Sequence, residues 1–483
     1  MIMGRGLVNR LLALCAALAA LACAPVAQAE DGYKLWLRYV PLEGEALKRL
    51  QAFNPSIVPV AGSDGPDNTV VQAAARELRR GVASLLGAQP GEGDRRTPEI
   101  IVDDRPSVVL DCPTIPGGGD GRFTVEARAR EIRIHGPGQL SCLYGAFALL
   151  RELALGRDPH SLDLDEHPAM PMRMLDNWDD PNGYVLRGYS GRSIYDWWKL
   201  PDHLDRRLID YARANASIGI NGVVVNSVNA SPQFLTDRYI PKLKRVADAW
   251  RPYGIRLYIC ARFSAPKDVG GLPTADPLDP SVQAWWKARA DALYAAIPDF
   301  GGFLVKANSE GEPGPQDYHR THAEGANTLA RAVGERGVVI WRAFVYSAED
   351  KTDRAMQAYN EFVPLDGKFD KNVILQVKNG PIDFQPREPF HPLFGAMPHT
   401  RLMFEGQITK EYLGQATHLV YLAPLWTEGL NARTGPDGTV AQVIAPAGMA
   451  GVANTGSDRD WSGSHFNQAN WYAFGRLAWN PGL

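Results

Sequence analysis

The sequence predicts an α/β protein whose larger part is a (β/α)8 TIM barrel preceded by a small N-terminal α/β domain. Beyond residue 170, short β-prone runs recur, and amphipathic helical patterns fill the gaps between them. Eight strand–helix repeats of this kind are typical of a (β/α)8 barrel. The eight predicted strands are residues 172–178, 222–226, 255–263, 302–307, 338–345, 372–378, 401–405 and 418–422.

Helices are predicted in five of the intervals between these strands, where apolar residues recur with helical spacing. These elements assign residues 169–483 to the barrel. The predicted helices are residues 204–214, 240–253, 281–296, 319–335 and 348–362.

Residues 30–168 are assigned to the preceding domain, because their patterns are mixed and do not repeat. Residues 33–39 alternate with period two, whereas 70–86 and 140–155 have helical spacing. The glycine-rich stretch 117–121 lacks the Lys-Ser/Thr ending of a phosphate-binding loop, so we interpret it as a turn.

Residues 1–29 have the organisation of a secretory signal peptide. Arg5 and Arg10 precede an apolar run over residues 11–24, and Ala27-Gln28-Ala29 forms a small-residue cleavage site. The apolar run is shorter than the ~20 residues of a spanning helix, which disfavours a membrane anchor. We therefore expect export, to the periplasm or the medium.

The composition is that of an ordinary folded protein, with 45% hydrophobic and 22% charged residues among 483. The 51 basic and 54 acidic residues give a formal net charge of -3. This balance offers no broad attraction to nucleic acid or anionic lipid, and we expect neither as a partner.

Three of the five cysteines follow the predicted signal peptide, and Cys112 with Cys142 is the one pair that we consider for a disulfide. The sequence contains no CxxC, His-rich or H-E-x-x-H pattern. We therefore expect no metal site and no cofactor.

Polar residues are concentrated where the predicted strands end, which is where chemistry collects in a (β/α)8 barrel. Carboxylates, cations and aromatic side chains are expected to converge on one mouth. Those following the eight strands in order are Asp176, Asn177, Trp178, Asp179, Asp180; Asn226, Ser227, Asn229; Arg262; Lys306, Asn308, Ser309, Glu310; Arg342; Lys378, Asn379, Asp383; Glu405, Glu411; Trp426 and Glu428.

Paired carboxylates with aromatic platforms are typical of glycosidases, in which one acid protonates the leaving oxygen and another carboxylate activates water or attacks. The cations Lys306, Arg342 and Lys378 suit a substrate that carries a carboxylate. The pattern therefore indicates a uronic acid, although each cation could instead neutralise a neighbouring acid.

Four long strings at these positions resemble the α-glucuronidases of glycoside hydrolase family 67. This resemblance implies an inverting hydrolase that releases α-1,2-linked glucuronic acid, or its 4-O-methyl ether, from xylooligosaccharides. It also implies an α/β domain before a (β/α)8 barrel. The strings are MRMLDNWDD at 172–180, FLVKANSE at 303–310, QVKNGPIDFQ at 376–385 and ITKEYLG at 408–414.

The resemblance also implies roles for eight residues. Glu310 is the expected general acid, and Asp383 with Glu411 is the pair that positions and deprotonates water. We expect burial to raise the pKa of Glu310, against the opposing charge of Lys306, so that Glu310 is protonated when substrate binds. Which of the two is the base stays open. The residues implied to bind substrate are Lys306, Arg342 and Lys378 on the uronate carboxylate, Trp178 against the sugar, and Val228 beside a 4-O-methyl group.

One departure from the family pattern is that its members continue into a large helical C-terminal domain that forms a dimer, whereas this sequence stops at Leu483. We therefore expect a truncated form of a homodimeric enzyme. The alternatives are an inactive or weakly active carbohydrate-binding fragment and a hydrolase of another uronic-acid polysaccharide, such as pectin.

Overall fold

The computed structural model describes residues 30–60, 70–88, 105–346, 353–435 and 438–483. The predicted signal peptide lies outside these ranges. Two separate sheets organise the described residues: a mixed five-stranded sheet and a closed eight-stranded parallel barrel.

The five-stranded sheet has the order β1-β2-β4-β3-β5. Strands β1, β2 and β4 run parallel, whereas β3 pairs antiparallel with both β4 and β5. The strands are β1 Ser56–Pro59, β2 Ser107–Asp111, β3 Phe123–Arg128, β4 Glu131–His135 and β5 Asp163–Glu166.

Three helices accompany this sheet: α1 Gly44–Phe53, α2 Val70–Leu85 and α3 Gln139–Ala154. Helices α2 and α3 follow the two predicted helical patterns closely. The two helices pack so closely that Gly81 of α2 has no room for a side chain against Leu150 of α3.

The alternating segment 33–39 forms turns and contains no strand. Leu35 and Tyr39 have positive φ values of 54° and 46°, which an extended strand does not accommodate. The segment lies on the barrel instead: Trp36 Nε1 donates to Ser217 Oγ at 2.7 Å, and Trp461 Nε1 donates to the carbonyl of Tyr33 at 2.8 Å.

The barrel confirms the predicted fold class. Apolar side chains from most of its strands fill the interior, among them Met174, Val224, Leu304, Ile340, Ile374 and Met403. The eight strands are β6 Met172–Asp176, β7 Gly222–Val224, β8 Arg256–Cys260, β9 Gly302–Val305, β10 Val338–Arg342, β11 Val373–Lys378, β12 Leu402–Gln407 and β13 Gly448–Val452.

Helices connect these strands, and polar side chains define several of their starts. Asp205 accepts a hydrogen bond from Arg207 N, and Thr321 and Glu324 form a reciprocal capping box. The helices are α4 Arg206–Ser217, α5 Ile240–Trp250, α6 Ala265–Asp268, α7 Pro280–Ala296, α8 His322–Val333, α9 Arg354–Phe362, α10 Ala423–Asn431, α11 Val440–Ile444 and α12 His465–Trp479.

The predicted eighth strand is wrong. Residues 418–422 lie in a loop, where Leu419 is 78% exposed, whereas a parallel barrel strand is buried on both faces. The closing strand is β13, whose glycines and alanine give it little β-propensity. Gly448 has φ 136°, and a Cβ there would lie 1.9 Å from the carbonyl of Met172, so close strand contact requires glycine.

A disulfide joins Cys112, just after β2, to Cys142 in the first turn of α3, with Cα atoms 5.9 Å apart. This is the pair considered from the sequence. Cys260 is a free, buried thiol on β8. Within the described ranges, no helix is both long and apolar enough to cross a bilayer.

Helix α2 is linked to helix α4 of the barrel by a set of ion pairs that we call the Glu77 cluster, consisting of Glu77, Arg80, Asp210 and Arg213. Glu77 on α2 accepts from Arg213 Nε at 2.7 Å and from Arg80 at 2.6 Å. Arg213 on α4 also donates to Asp210 at 2.9 Å. Ion pairs between Glu77 and Arg213 therefore connect helix α2 to helix α4 of the barrel.

Candidate active site

The carboxyl ends of four neighbouring strands bring the three predicted cations together. Lys306 follows β9 directly, Arg342 ends β10 and Lys378 ends β11. Glu405 lies beside Lys378 in the register of β11 with β12. Adjacent parallel strands end at one rim, which places all four side chains at the mouth.

Each cation is paired with a carboxylate, and we call these the mouth pairs. The three cationic side chains are almost completely buried. The pairs are Lys306 Nζ with Glu310 Oε2 at 2.5 Å, Arg342 Nη2 with Glu405 Oε1 at 2.9 Å, and Lys378 Nζ with Asp383 Oδ1 at 2.5 Å.

The carboxylates of the mouth pairs differ sharply in exposure. The Glu405 side chain is 0% exposed, Asp383 is 20% exposed and Glu310 is 47% exposed. Glu405 therefore serves to fix Arg342, which it holds through both oxygens. Glu310 is the member of the set that faces solvent.

Glu310 stands on a tight loop with φ 52°. Burial raises the pKa of its carboxyl, but the ammonium of Lys306, together with Lys378 and Arg342, outweighs burial and leaves the pKa below its usual value. Without a ligand at the mouth, the pKa of Glu310 is therefore lowered, and its expected protonation on substrate binding stays a prediction. The reason is that Lys306 contacts the carboxylate directly.

Asp383 has a donor on each carboxylate oxygen: Lys378 on Oδ1 and the Tyr412 hydroxyl on Oδ2. Burial raises the pKa of Asp383, but Lys378 and Tyr412 bring it below its usual value. Glu388 fixes the loop by accepting hydrogen bonds from three backbone amides, including Asp383 N at 2.8 Å. Asp383 is thus held as a carboxylate.

Glu411 follows β12 on a short loop. Gln407 anchors it by accepting from Glu411 N at 3.0 Å and donating to Oε2 at 3.2 Å. The Oε1 atom of Glu411 lies 2.5 Å from Nε of Arg187, and the Arg187 side chain is half-exposed. Burial raises the pKa of Glu411 above its usual value, helped by Asp383 and opposed by Arg187.

Trp178 and Val228 are both buried beside the mouth and belong to one apolar cluster. The guanidinium carbon of Arg342 lies 5.7 Å from the centroid of the Trp178 ring. The indole Nε1 of Trp178 has no hydrogen-bond partner among the described residues. Val228 is 3% exposed, so it packs like a core residue in the substrate-free protein.

Two further carboxyls lie under the mouth at the end of β6. Burial, together with Glu405, raises the pKa of Asp176, which accepts from Gln376 at 2.7 Å. Burial raises the pKa of Asp179 to about 8. Burial therefore favours the neutral form of both carboxyls. Among the described residues, no group of three or more His, Cys, Asp or Glu could hold a metal ion.

Sequence reasoning missed several residues of this site. Tyr412 lies within the matched string ITKEYLG, so its place beside Glu411 was visible although its role was not. Phe344 and Phe384 cover Lys378, with ring centroids 2.9 and 4.7 Å from its Nζ. Arg187 stands in a loop where no pattern marks it.

The two residues expected after the wrong eighth strand lie on a helix and not at a strand end. Trp426 and Glu428 both lie on α10. Trp426 is buried against Phe474 at a centroid distance of 5.2 Å. Glu428 is exposed.

The mouth thus combines a solvent-facing acid, two restrained carboxylates and three buried cations. The charges of Arg342 and Lys378 act on both Glu310 and Asp383, and Lys378 also acts on Glu411, so the carboxyls share one electrostatic neighbourhood. Such a site can bind an anionic sugar and transfer protons on both sides of it.

Curated relatives cover nearly all of the chain. Alpha-glucuronidase A of Emericella nidulans is 40% identical over 94% of this chain and 57% of its own length. The alpha-glucuronidase of Hypocrea jecorina is 39% identical with the same coverage of both chains. The probable alpha-glucuronidase A of Neosartorya fischeri is 42% identical over 95% of this chain and 56% of its own length. The chain therefore spans little more than half the length of these relatives.

Solved structures of low identity share the fold. Flavobacterium johnsoniae chitobiase has a TM-score of 0.55 at 11% identity, covering 89% of this chain and 66% of its own. A family GH115 4-O-methyl-alpha-glucuronidase with specificity for decorated arabinogalactans has a TM-score of 0.51 at 13% identity, covering 88% and 56%. These two similarities concern the architecture alone.

The sequence profile described as "Glycosyl hydrolase family 67 middle domain" matches residues 152–461, which include every strand of the barrel and all of the residues proposed for the site. This match confirms the resemblance carried by the four strings. The chain belongs to glycosyl hydrolase family 67.

Proposed function

We propose that this protein is an inverting α-glucuronidase that releases α-1,2-linked glucuronic acid, or its 4-O-methyl ether, from xylooligosaccharides. The observation that carries the proposal is the set of three buried cations at adjacent strand ends, beside carboxylates suited to acid and base roles. The names of the relatives support the glucuronidase activity, and the family resemblance supports the linkage and the xylan substrate.

The uronate carboxylate is proposed to bind among Lys306, Arg342 and Lys378. A planar guanidinium held from behind by Glu405 presents its remaining N–H groups in a fixed direction, and two ammonium groups add point charges. A neutral hexose would leave these buried charges without a partner, which disfavours it. In this pose, Trp178 offers an apolar face to the sugar ring.

Glu310 is proposed as the general acid. In its protonated form it gives a proton to the glycosidic oxygen while the bond between that oxygen and the anomeric carbon breaks. Its 47% exposure suits a position where the leaving xylose chain meets solvent. An inverting reaction needs about 6.5–9.5 Å between acid and base carboxyls, so that water fits between them.

We assign the base role to Glu411 and the orienting role to Asp383. Both oxygens of Asp383 are occupied by Lys378 and Tyr412, which stabilise its ionised form and weaken it as a proton acceptor. The cationic partner of Glu411 is the half-exposed Arg187, which can move aside. Water would then attack the anomeric carbon as Glu411 accepts its proton.

The pH dependence of kcat/KM tests this assignment. The base must be ionised, so activity is lost as the pH falls through the raised pKa of Glu411. In Asp383→Asn, removal of the like charge lowers the pKa of Glu411, and the residual acid limb should move to lower pH. Disappearance of that limb in Asp383→Asn, with its persistence in Glu411→Gln, would reverse the roles.

The activity itself is tested by incubating the chain with aldouronic oligosaccharides and following the released sugar by NMR. Initial release of β-configured 4-O-methylglucuronic acid, lost in Glu310→Ala, is the expected result. Glu335→Ala is the matched control, because Glu335 is exposed and precedes β10 at the opposite end of the barrel. Release of the α-anomer would contradict inversion.

Pectic oligosaccharides serve as a second substrate in the same assay. Release of uronic acid from these alone would favour a hydrolase of another polysaccharide. Binding of aldouronic oligosaccharides without turnover would favour a carbohydrate-binding chain, a relevant outcome because the chain spans only 57% of the length of such a relative. We also propose export, which the Cys112–Cys142 disulfide supports because disulfides persist in oxidising compartments.

A further inference from the structure

The three cations at the mouth are already paired with carboxylates of the protein. Lys306, Arg342 and Lys378 each contact a carboxylate of the protein already. A ligand carboxylate that binds among them must therefore displace or share one of these partners. Burial and hydrogen bonding determine which carboxylate can be displaced.

Glu310 is the partner that can leave. Glu405 is fully enclosed and holds Arg342 through two oxygens, while Asp383 is fixed by a second donor, Tyr412. Glu310 is half exposed, and its carboxylate is held by Lys306. Lys306 Nζ also donates to Asn229 Oδ1 at 2.8 Å, which keeps the ammonium in place when Glu310 moves away.

We propose that the carboxylate of a bound uronic acid takes Lys306 from Glu310, and that Glu310 gains a proton from solvent in the same binding step. The inference rests on the proposed function, because it requires a uronate at the mouth. The charges balance, because the uronate brings one negative charge and solvent supplies one proton. The only new covalent bond is the O–H bond on Glu310. The ligand thereby converts Glu310 into a general acid.

The surroundings of Glu310 explain why the two events are linked. It faces Lys306 after β9, Arg342 at the end of β10 and Lys378 at the end of β11. Three positive charges favour ionised Glu310, and an anion placed among them cancels part of that field. Binding of the anion and of the proton therefore favour each other.

Two further neighbours, one on the same loop and one after β10, complete these surroundings and do not change the direction of the effect. Glu312, on the same loop, has its charge countered by Arg262 at 2.8 Å. Tyr346, after β10, accepts from Glu310 N through its backbone carbonyl at 3.4 Å, and its hydroxyl donates to Ile382 O. Neither neighbour supplies a cation that could replace Lys306.

One consequence is that the charge of the substrate contributes to catalysis as well as to binding. A neutral hexoside in the same pose would leave Glu310 paired with Lys306 and ionised, without a proton to give. Its turnover would then fail even at saturation. Selection for uronic acids would therefore appear in kcat as well as in KM.

The test is calorimetric titration of D-glucuronate into the whole 483-residue chain near pH 6, in buffers of different ionisation enthalpy. We expect uptake of about one proton per glucuronate bound. The affinity for glucuronate should then weaken about tenfold for each unit by which the pH rises between about pH 5 and 7. In Glu310→Gln, binding should persist, the uptake should vanish and the affinity should become nearly independent of pH.

Glu312→Gln is the matched control, since it removes a neighbouring carboxyl and should leave the proton uptake intact. D-glucose is the control ligand, and any binding should occur without uptake. Glucuronate binding without proton uptake, or uptake that survives Glu310→Gln, would overturn this inference and leave the proposed function standing. Absence of glucuronate binding throughout the pH range would overturn both.

Discussion

The Glu77 cluster and the mouth pairs are both networks of buried ion pairs, yet they differ in how their carboxylates are enclosed. In the Glu77 cluster, the Glu77 side chain is 1% exposed and that of Asp210 is 14% exposed, and each is matched by arginine donors on helices. At the mouth, the cations are enclosed, whereas Glu310 opens to solvent.

This difference separates a structural network from a binding site. A fully enclosed pair cannot exchange partners without unfolding its surroundings, so it ties elements together. A buried cation with an exposed partner can exchange that partner for a ligand at little structural cost. Accessibility of the carboxylate, more than the presence of a cation, therefore marks the mouth as the functional cluster.

The largest effect is expected from Glu411→Gln at the mouth. Loss of the base should lower kcat about 10²–10⁴-fold, with the free energy of unfolding changed by less than about 0.5 kcal/mol. Steady-state kinetics and denaturant titration measure the two quantities. Glu428→Gln, on the exposed face of α10, is the control and should change neither. Full activity of Glu411→Gln would remove Glu411 from the mechanism.

Glu77→Ala should have the opposite profile. It leaves Arg213 buried without its main partner, and we expect a loss of about 3–5 kcal/mol in the free energy of unfolding. The kcat of the remaining folded protein should be unchanged. Glu45→Ala, which breaks an exposed pair with Lys48, should cost less than about 0.5 kcal/mol. Equal losses in the two variants would erase the contrast between the clusters.

A smaller effect concerns the high-pH side of activity. Burial, together with the charge of Arg342, lowers the pKa of Lys378 to about 8. The ammonium is needed to hold the uronate, so the fall of kcat/KM with rising pH should become steeper as the pH passes about 8. Lys378→Arg keeps its charge at all these pH values and should lose this steeper region. A wild-type kcat/KM whose slope against pH does not change up to about pH 9 would contradict the prediction.

The smallest expected effect is that of Tyr39→Phe beside the Glu77 cluster. The Tyr39 hydroxyl is buried and has no hydrogen-bond partner in the described part of the chain. Removing it should stabilise the fold by about 1 kcal/mol or less, because an unpaired buried hydroxyl costs free energy. Denaturant titration measures this change. Destabilisation would show that the hydroxyl has a partner, and the cluster would extend to Tyr39.

Much of the fold could be predicted because barrel strands carry strong local signals. Seven of the eight strands follow β-prone runs, such as the wholly buried VILQVK of β11. The exception is β13, whose sequence is GMAGV. Glycine is required at 448 because the backbone of Met172 approaches too closely for a side chain. That requirement is set by a strand distant in sequence, so no local pattern could reveal it.

The site was predictable as a list of residues and unpredictable as a set of contacts. Strand ends and family strings located Glu310, Asp383, Glu411 and the three cations. Sequence reasoning allowed Lys306 to neutralise a neighbouring acid without fixing the contact with Glu310, and no local pattern indicated that Arg187 reaches Glu411. These contacts set the direction of the Glu310 pKa and are the basis on which we propose Glu411, and not Asp383, as the base.

Asn454, just beyond β13, has a consequence for the order in which the molecule forms. Its side chain accepts from Trp178 N, 276 residues earlier, and donates to Leu186 O in the loop that carries Arg187. During synthesis, the first strand of the barrel leaves the ribosome long before this clamp exists. The hydrogen bonds that hold Trp178 N and Leu186 O can form only after Asn454 has been synthesised, so this part of the mouth is completed late.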